Sequence, residues 1–246
     1  MTAFSVADAA ARLIEARRTR RPIALPEAGP TSTDEAFAVQ DAVAASLGPA
    51  AAWKVGRGGT AAPIAASLVR PSPCIWPAAE LLRIGIEAEI AFRIGRDLGF
   101  GPTPPGEDEI RSAIASIHPA VEIVDSRFDI WPVPDRFWAL ADNQSNGGFV
   151  YGPDGNVWDG SPLGSADATV TVDGEPIFSE RGTNPGGEPF PLLVWLVGHL
   201  AGRGSGLPAG SFVTTGSLCG ILWVEPGAEV VANVGDVGRV ELRLPR

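Results

Sequence analysis

Gly85-Ile86-Glu87-Ala88-Glu89-Ile90-Ala91-Phe92-Arg93-Ile94 alternates with a period of two. Ile86, Ala88, Ile90, Phe92 and Ile94 fall on one face, and Glu87, Glu89, Ala91 and Arg93 on the other, the pattern of a half-buried strand. At about 3.3 Å per residue the two carboxylates stand roughly 6.6 Å apart along one face. They repel unless water or a cation lies between them. A solvent-facing strand surface satisfies that condition. So does a hard divalent ion, Mg²⁺ or Mn²⁺, which prefers carboxylate and water oxygens.

A third carboxylate, Glu122, lies in the apolar run Pro119-Ala120-Val121-Glu122-Ile123-Val124-Asp125-Ser126-Arg127, where an unpaired Glu is costly to bury. If that strand neighbours the first, three carboxylates converge and leave positions open for water and substrate. Asp125, near Arg127, fits an ion pair or a turn hydrogen bond. Upstream, the periodicity predicts a helix over 107–117, with Ile110, Ala113, Ile114 and Ile117 inward, ending before Pro119, and then a strand over 120–124.

The rest of the chain is punctuated clearly. Ser5 caps a helix over 5–18, and Ser32 with Glu35 caps another over 33–47 that Gly48 stops. A strand, Ala52-Trp53-Lys54-Val55-Gly56, leads into Gly56-Arg57-Gly58-Gly59, which has neither the Walker spacing nor the dinucleotide fingerprint. Pro71-Ser72-Pro73 marks a lobe boundary. Asp173-Gly174 between apolar runs predicts a hairpin, 191–200 a helix, and 212–215, 229–232 and 239–244 short strands. The expected organisation is an α/β N-terminal lobe over 1–79 and a strand-rich catalytic body over 80–246.

Composition sets the outer limits. The 246 residues carry 19 Lys+Arg against 29 Asp+Glu, a net charge of −10, which disfavours nucleic acid and anionic membrane as partners. Arg17-Arg18-Thr19-Arg20-Arg21 then reads as helix-terminal, solvated cations. Thirty glycines and 23 prolines predict a turn-rich fold with strands. The longest apolar stretch, 190–201, is interrupted by Gly198 and His199 and is too short to span a bilayer. Met1-Thr2-Ala3-Phe4-Ser5 shows no leader pattern, and Cys74 and Cys219 lie far apart, so a reduced, cytoplasmic protein is expected.

Gly85 to Phe92, Glu122 to Arg127, Ala141-Asp142-Asn143 and Thr214-Thr215-Gly216-Ser217 occur in the order seen in the fumarylacetoacetate hydrolase superfamily. With Val39-Gln40 and Trp53-Lys54-Val55-Gly56, the set resembles its 2-oxopent-4-enoate hydratase and 4-oxalocrotonate decarboxylase branch. The resemblance implies an α+β fold, a mixed β-sandwich roll with a small helical N-terminal lobe. It also implies Mg²⁺ or Mn²⁺ held by Glu87, Glu89 and Glu122, a small 2-oxo or 2-hydroxy acid as substrate, and a homo-oligomer.

A 2-oxo acid can chelate such an ion through its carboxylate and its 2-oxygen, favouring the enol form. Hydration of a 2-hydroxy-2,4-dienoate then needs a proton donor or acceptor, for which Lys54 is the candidate; desolvation beside a cation is expected to lower its pKa. Thr215, Gly216 and Ser217 are candidates for gripping the substrate carboxylate in a backbone nest. Asp142 and Asn143 are candidates for orienting a water, or for capping a turn. Decarboxylation of a 2-oxo-3-enedioate is the neighbouring chemistry, whose second carboxylate would need a cation among Arg57, Arg127, Arg136 and Arg181; a non-catalytic small-molecule binder of the same fold is the alternative from a different class.

The superfamily's C–C bond hydrolases typically use an N-terminal His to activate water. The first histidine here is His118, so hydration or decarboxylation is expected instead, with His118 and His199 structural. Where the branch often has Gly-His-Pro, this chain has Gly187-Glu188-Pro189.

Overall fold

The computed structural model describes residues 4–101 and 103–246; the leader reading falls partly on residues 1–3, outside the described residues. Ser5 and Ser32 accept from the amides of Asp8 and Glu35 and so start α1 (Val6–Thr19) and α2 (Thr33–Leu47). Arg18, Arg20 and Arg21 are exposed, as solvated cations should be. Arg17 is the exception: it turns inward and donates to the Asn146 carbonyl at 2.9 Å.

Then come β1 (Ala50–Gly56), β2 (Thr60–Ala65), β3 (Val69–Pro71), β4 (Cys74–Ile75), β5 (Gly85–Ile94), α3 (Glu107–Ala113) and β6 (Ile114–Val124). After α4 (Arg136–Ala141) follow β7 (Asn146–Tyr151), β8 (Ser165–Val172), β9 (Glu175–Thr183) and α5 (Pro189–Gly202). The last strands are β10 (Phe212–Thr214), β11 (Leu222–Trp223), β12 (Glu229–Val234) and β13 (Gly238–Arg243). One mixed sheet runs β2-β1-β10-β5-β6-β7-β3, with β11 added to β5; the second runs β4-β13-β12-β8-β9. The β8–β9 turn is the expected Asp-Gly hairpin, with both residues at positive φ (52° and 87°).

The main core lies on the even-numbered face of β5, where Ile86, Ile90 and Phe92 meet Val230 and Val240 of the second sheet. Leu13, Val39, Val43, Phe128 and Trp138 form a separate cluster joining α1, α2 and α4. Gln40 ties that helical group to the sheet, donating to the carbonyls of Ala61 and Leu140. β1, β2 and β3 belong to the same sheet as β5 to β7, so this sheet crosses residue 79.

The helix expected over 107–117 stops at Ala113, and β6 begins at Ile114 rather than Ala120. β6 pairs with β5 from Ile114 and with β7 from Ala120, and the β5 pairing outweighs the helical spacing of Ile114 and Ile117. Pro119 sits inside it without a donor. Its partner Gly152 donates to the Pro119 carbonyl at 2.8 Å, and the Gly152 carbonyl accepts from His118 Nδ1 at 2.7 Å instead of from a proline amide. His118 Nε2 then accepts from Ser116 Oγ at 2.8 Å, which makes this histidine a structural one.

Candidate metal centre

Register builds the site. Glu87 lies directly opposite Glu122, and Glu89, two residues on, shares their face. One oxygen from each of the three lies within 4.8 Å of the others. β10 pairs Thr214 with Ala91 and β1 pairs Lys54 with Thr214, so those side chains rise on the same face. This second face of β5 is not the solvated surface that its charges allow. It is closed by Ala52, Ala91, Ala120, Phe149 and Phe212, and Glu89 and Glu122 are buried.

Each acid is aimed by named partners. Glu122 Oε1 accepts from Lys54 Nζ at 2.5 Å and from Asn146 Nδ2 at 3.0 Å, while its Oε2 is buried with no hydrogen-bond partner. Glu89 Oε2 accepts from the Thr214 hydroxyl and from the Gly216 amide, the latter at 3.1 Å. Gly216 has φ 123°, and a Cβ there would lie 2.5 Å from Asn184 Oδ1, so only glycine presents its amide this way.

Three carboxylates against one ammonium leave a formal charge of −2 in a buried space. Burial, then the Glu122 charge, pushes Glu87 up to about 7; burial, then Glu122 and Glu87, pushes Glu89 up to about 8. Burial works to lower Lys54, but with no cation among them the three glutamates outweigh it and hold Lys54 above its ordinary value. The donor set is oxygen only, one oxygen is orphaned, and the charge deficit is two. These residues fit a hard divalent cation, and three side chains leave coordination positions for water and a chelating ligand.

A pH dependence follows. The two raised acids bind protons in the folded protein between about pH 5 and 8 that the unfolded chain has released, so without metal, stability falls as pH rises through that window. A cation must displace the same protons. Mg²⁺ affinity should therefore rise by about tenfold or more from pH 6 to 8, with proton release, and then level off. Titration calorimetry in buffers of different ionisation enthalpy checks this; a pH-independent affinity would contradict it.

The other expected site residues divide. Thr215 Oγ1 is buried and unpartnered, and it stands beside the Gly216 amide. Ser217 Oγ is spent in its own turn, accepting from the Cys219 amide and donating to the Gly220 carbonyl. Asn143 Nδ2 donates to the Pro63 carbonyl and leaves Oδ1 buried without a partner. Asp142 is not free for water: its carboxylate accepts from Arg127 Nε, the Arg127 amide and Ser126 Oγ. Asp125 accepts from the Leu82 and Arg83 amides, more than 40 positions away and so not in a local turn, and its Oδ2 lies 3.8 Å from Arg127 Nη1, the ion pair that was the other reading. Glu188 likewise is occupied, accepting from the Leu163 and Gly164 amides at the start of α5. His199 packs between Phe37 and Trp195.

Two contributors were not singled out from the sequence, Asn146 and the Gln144 carbonyl, which accepts from Lys54 Nζ at 3.1 Å, and a third, Thr214, was given no role. Thr214 opens the Thr214-Thr215-Gly216-Ser217 motif, and that place was the available signal. Asn143, Gln144 and Ser145 all have positive φ (52°, 49° and 58°), a run of left-handed non-glycine residues that aims this carbonyl.

The 2-keto-4-pentenoate hydratase of Paraburkholderia xenovorans (strain LB400) is 33% identical over 156 residues, 63% of this chain and 56% of that protein. A 4-oxalocrotonate decarboxylase of a Pseudomonas species is 32% identical over 161 residues, 62% of this chain and 57% of that protein. The matches thus span somewhat over half the length of these curated relatives. Among solved structures, 4-oxalocrotonate decarboxylase from Pseudomonas putida G7, complexed with magnesium and adipate, superposes with a TM-score of 0.81 at 24% identity, covering 97% of both chains. This likeness bears out the expected α+β architecture. The family model described as fumarylacetoacetate (FAA) hydrolase C-terminal matches residues 55–244, and the chain belongs to that family.

Proposed function

We propose that the protein is a divalent-metal-dependent lyase that adds water to a 2-hydroxy-2,4-dienoate, giving a 4-hydroxy-2-oxo acid. The observation that carries this reading is the convergence of Glu87, Glu89 and Glu122 on one buried face, with Glu122 Oε2 unpartnered and Lys54 alongside. Relatives named 2-keto-4-pentenoate hydratase support the choice of substrate class. Mg²⁺ or Mn²⁺ held by the three glutamates supplies Lewis-acid stabilisation of the enolate.

The chain's own residues supply the rest. Thr215 Oγ1 and neighbouring backbone amides bind the substrate carboxylate. Lys54 donates a proton from Nζ to the terminal carbon while the 2-hydroxyl gives up its proton to solvent, so the dienol becomes the 2-oxo-3-enoate; water then adds its oxygen at C4, and the proton it releases to the neutral Lys54 amine is matched by one taken up at C3. The closed face around Phe149 and Phe212 keeps bulk water off the enol. A homo-oligomer in the cytoplasm completes the proposal on fold analogy; light scattering reports the subunit number.

Decarboxylation of a 2-oxo-3-enedioate is the second reading, favoured by relatives named 4-oxalocrotonate decarboxylase at 32% and 28% identity. Purified protein with Mg²⁺ and 2-hydroxypenta-2,4-dienoate should consume the dienol absorbance and lose that activity in EDTA. Consumption unaffected by EDTA would refute the metal role. Inertness there, with CO₂ released from the enedioate, would favour the second reading.

A further inference from the structure

Arg17 stands where stability alone does not put an arginine. Among the described residues its side chain makes one hydrogen bond, from Nη2 to the Asn146 carbonyl at 2.9 Å, and its Nε is buried without a partner. No carboxylate pairs with it among the described residues. Burial, then the charge of Arg127, pushes Arg17 down to about 9, and Asp142 and Asp125 offset this only in part. A guanidinium held below its ordinary value costs stability wherever it is charged. A methionine in its place avoids that cost.

The one bond that Arg17 makes leads to a metal ligand. The Asn146 side-chain amide donates to Glu122 Oε1 at 3.0 Å, and Lys54 Nζ donates to the same oxygen. With both donors on Oε1, Oε2 is left bare within the trio. Asn146 itself needs anchoring. It opens β7 directly after the left-handed run Asn143 to Ser145, and the β6–β7 register slips between Ile123/Gly148 and Val124/Asn146. At such a bulge the ladder holds the peptide less firmly. Two guanidinium groups close on its carbonyl, Arg17 Nη2 and Arg127 Nη1, the second at 3.0 Å. Arg127 also anchors Asp142, whereas the Asn146 carbonyl is the whole of Arg17's polar contact.

We propose that Arg17 is a positioning residue of the metal centre: from α1 it holds the Asn146 peptide, whose side-chain amide turns Glu122 so that Oε2 is left for the cation. The N-terminal helix then completes the site without touching metal or substrate. The assignment rests on the metal reading given above and deepens it. It applies to hydration and decarboxylation alike, because it concerns the ligand and not the substrate.

The test is Mg²⁺ affinity, measured by calorimetry well below the melting transition, for the unsubstituted protein, Arg17→Met, Asn146→Ala and the double variant, with the metal-free Tm of each. R17M should weaken Mg²⁺ binding about fivefold, less than the tenfold or more usual for a residue behind a ligand because Arg127 still reaches the carbonyl. Its Tm should be unchanged or raised. In the N146A background R17M should weaken Mg²⁺ binding no further, because the amide through which Arg17 acts is gone. The resonance spectrum of bound Mn²⁺ at saturation should differ between R17M and the unsubstituted protein, a readout that needs no second variant. A loss below twofold in R17M, an equal loss in both backgrounds, or an identical Mn²⁺ spectrum would overturn the role of Arg17 and leave the metal reading standing. A lowered Tm at unchanged affinity would make Arg17 a structural brace. Failure of the unsubstituted protein to bind either ion would overturn the metal reading and this assignment with it.

Discussion

Glu89→Gln leaves a folded, more thermostable protein that has lost metal-dependent turnover. The substitution keeps the side chain's shape and an oxygen able to accept from Thr214 and Gly216, so the turn that follows β10 stays anchored. It removes one charge from a buried trio in which burial and the neighbouring acids hold Glu89 near 8. At pH 8 the metal-free variant should therefore gain on the order of 2 kcal/mol, seen as a rise of about 4–8 °C in Tm. Mg²⁺ affinity should fall by about a hundredfold or more, and kcat by about a thousandfold. The paired readout matters. A merely structural Glu89 would lose stability on substitution, and a solvated one would change neither quantity. Turnover within tenfold of the parent would remove Glu89 from the ligand set.

The fold was most legible where local chemistry decides it. Ser32 ahead of Thr33–Leu47 and Asp173-Gly174 between two apolar runs act within a few residues, and both elements formed where expected. The candidate site was legible as a set of acids but not as a place. Whether Glu89 faces water or a closed interior depends on Phe149 and Phe212, which arrive from strands far along the chain. Thr214 and Glu89 are 125 positions apart, and only the β10–β5 pairing brings them together. The Glu107–Ile117 region misled for the opposite reason. Its spacing suits a helix, and tertiary pairing with β5 overrides it from Ile114 onward.

Asp142 shows the same limit and gives the second large effect. A carboxylate beside Asn143 reads as a water-orienting group, yet the fold spends it on Arg127, whose side chain is fully buried. Arg127 also donates to the carbonyls of Asn146 and Asp142 at 3.0 and 2.7 Å, and it lies 3.8 Å from Asp125 Oδ2. Arg127→Met fills similar space but strands two buried carboxylates, which should cost about 3–5 kcal/mol and on the order of 10 °C in Tm. The sign with pH is fixed. Burial already raises Asp125 and the Arg127 charge opposes that rise; without the arginine its folded pKa climbs further, so the deficit shrinks as pH falls from 7 towards 5. Below the melting transition Mg²⁺ affinity should change less than tenfold, because Lys54 still holds Glu122 and Arg17 still holds the Asn146 carbonyl. Asp142→Asn separates the two roles. As an anchor, Asp142 predicts lost stability with kcat kept within about tenfold and partial recovery of stability in the R127M/D142N pair. As a catalytic group it predicts lost kcat at unchanged Tm, and that result would return Asp142 to the reaction.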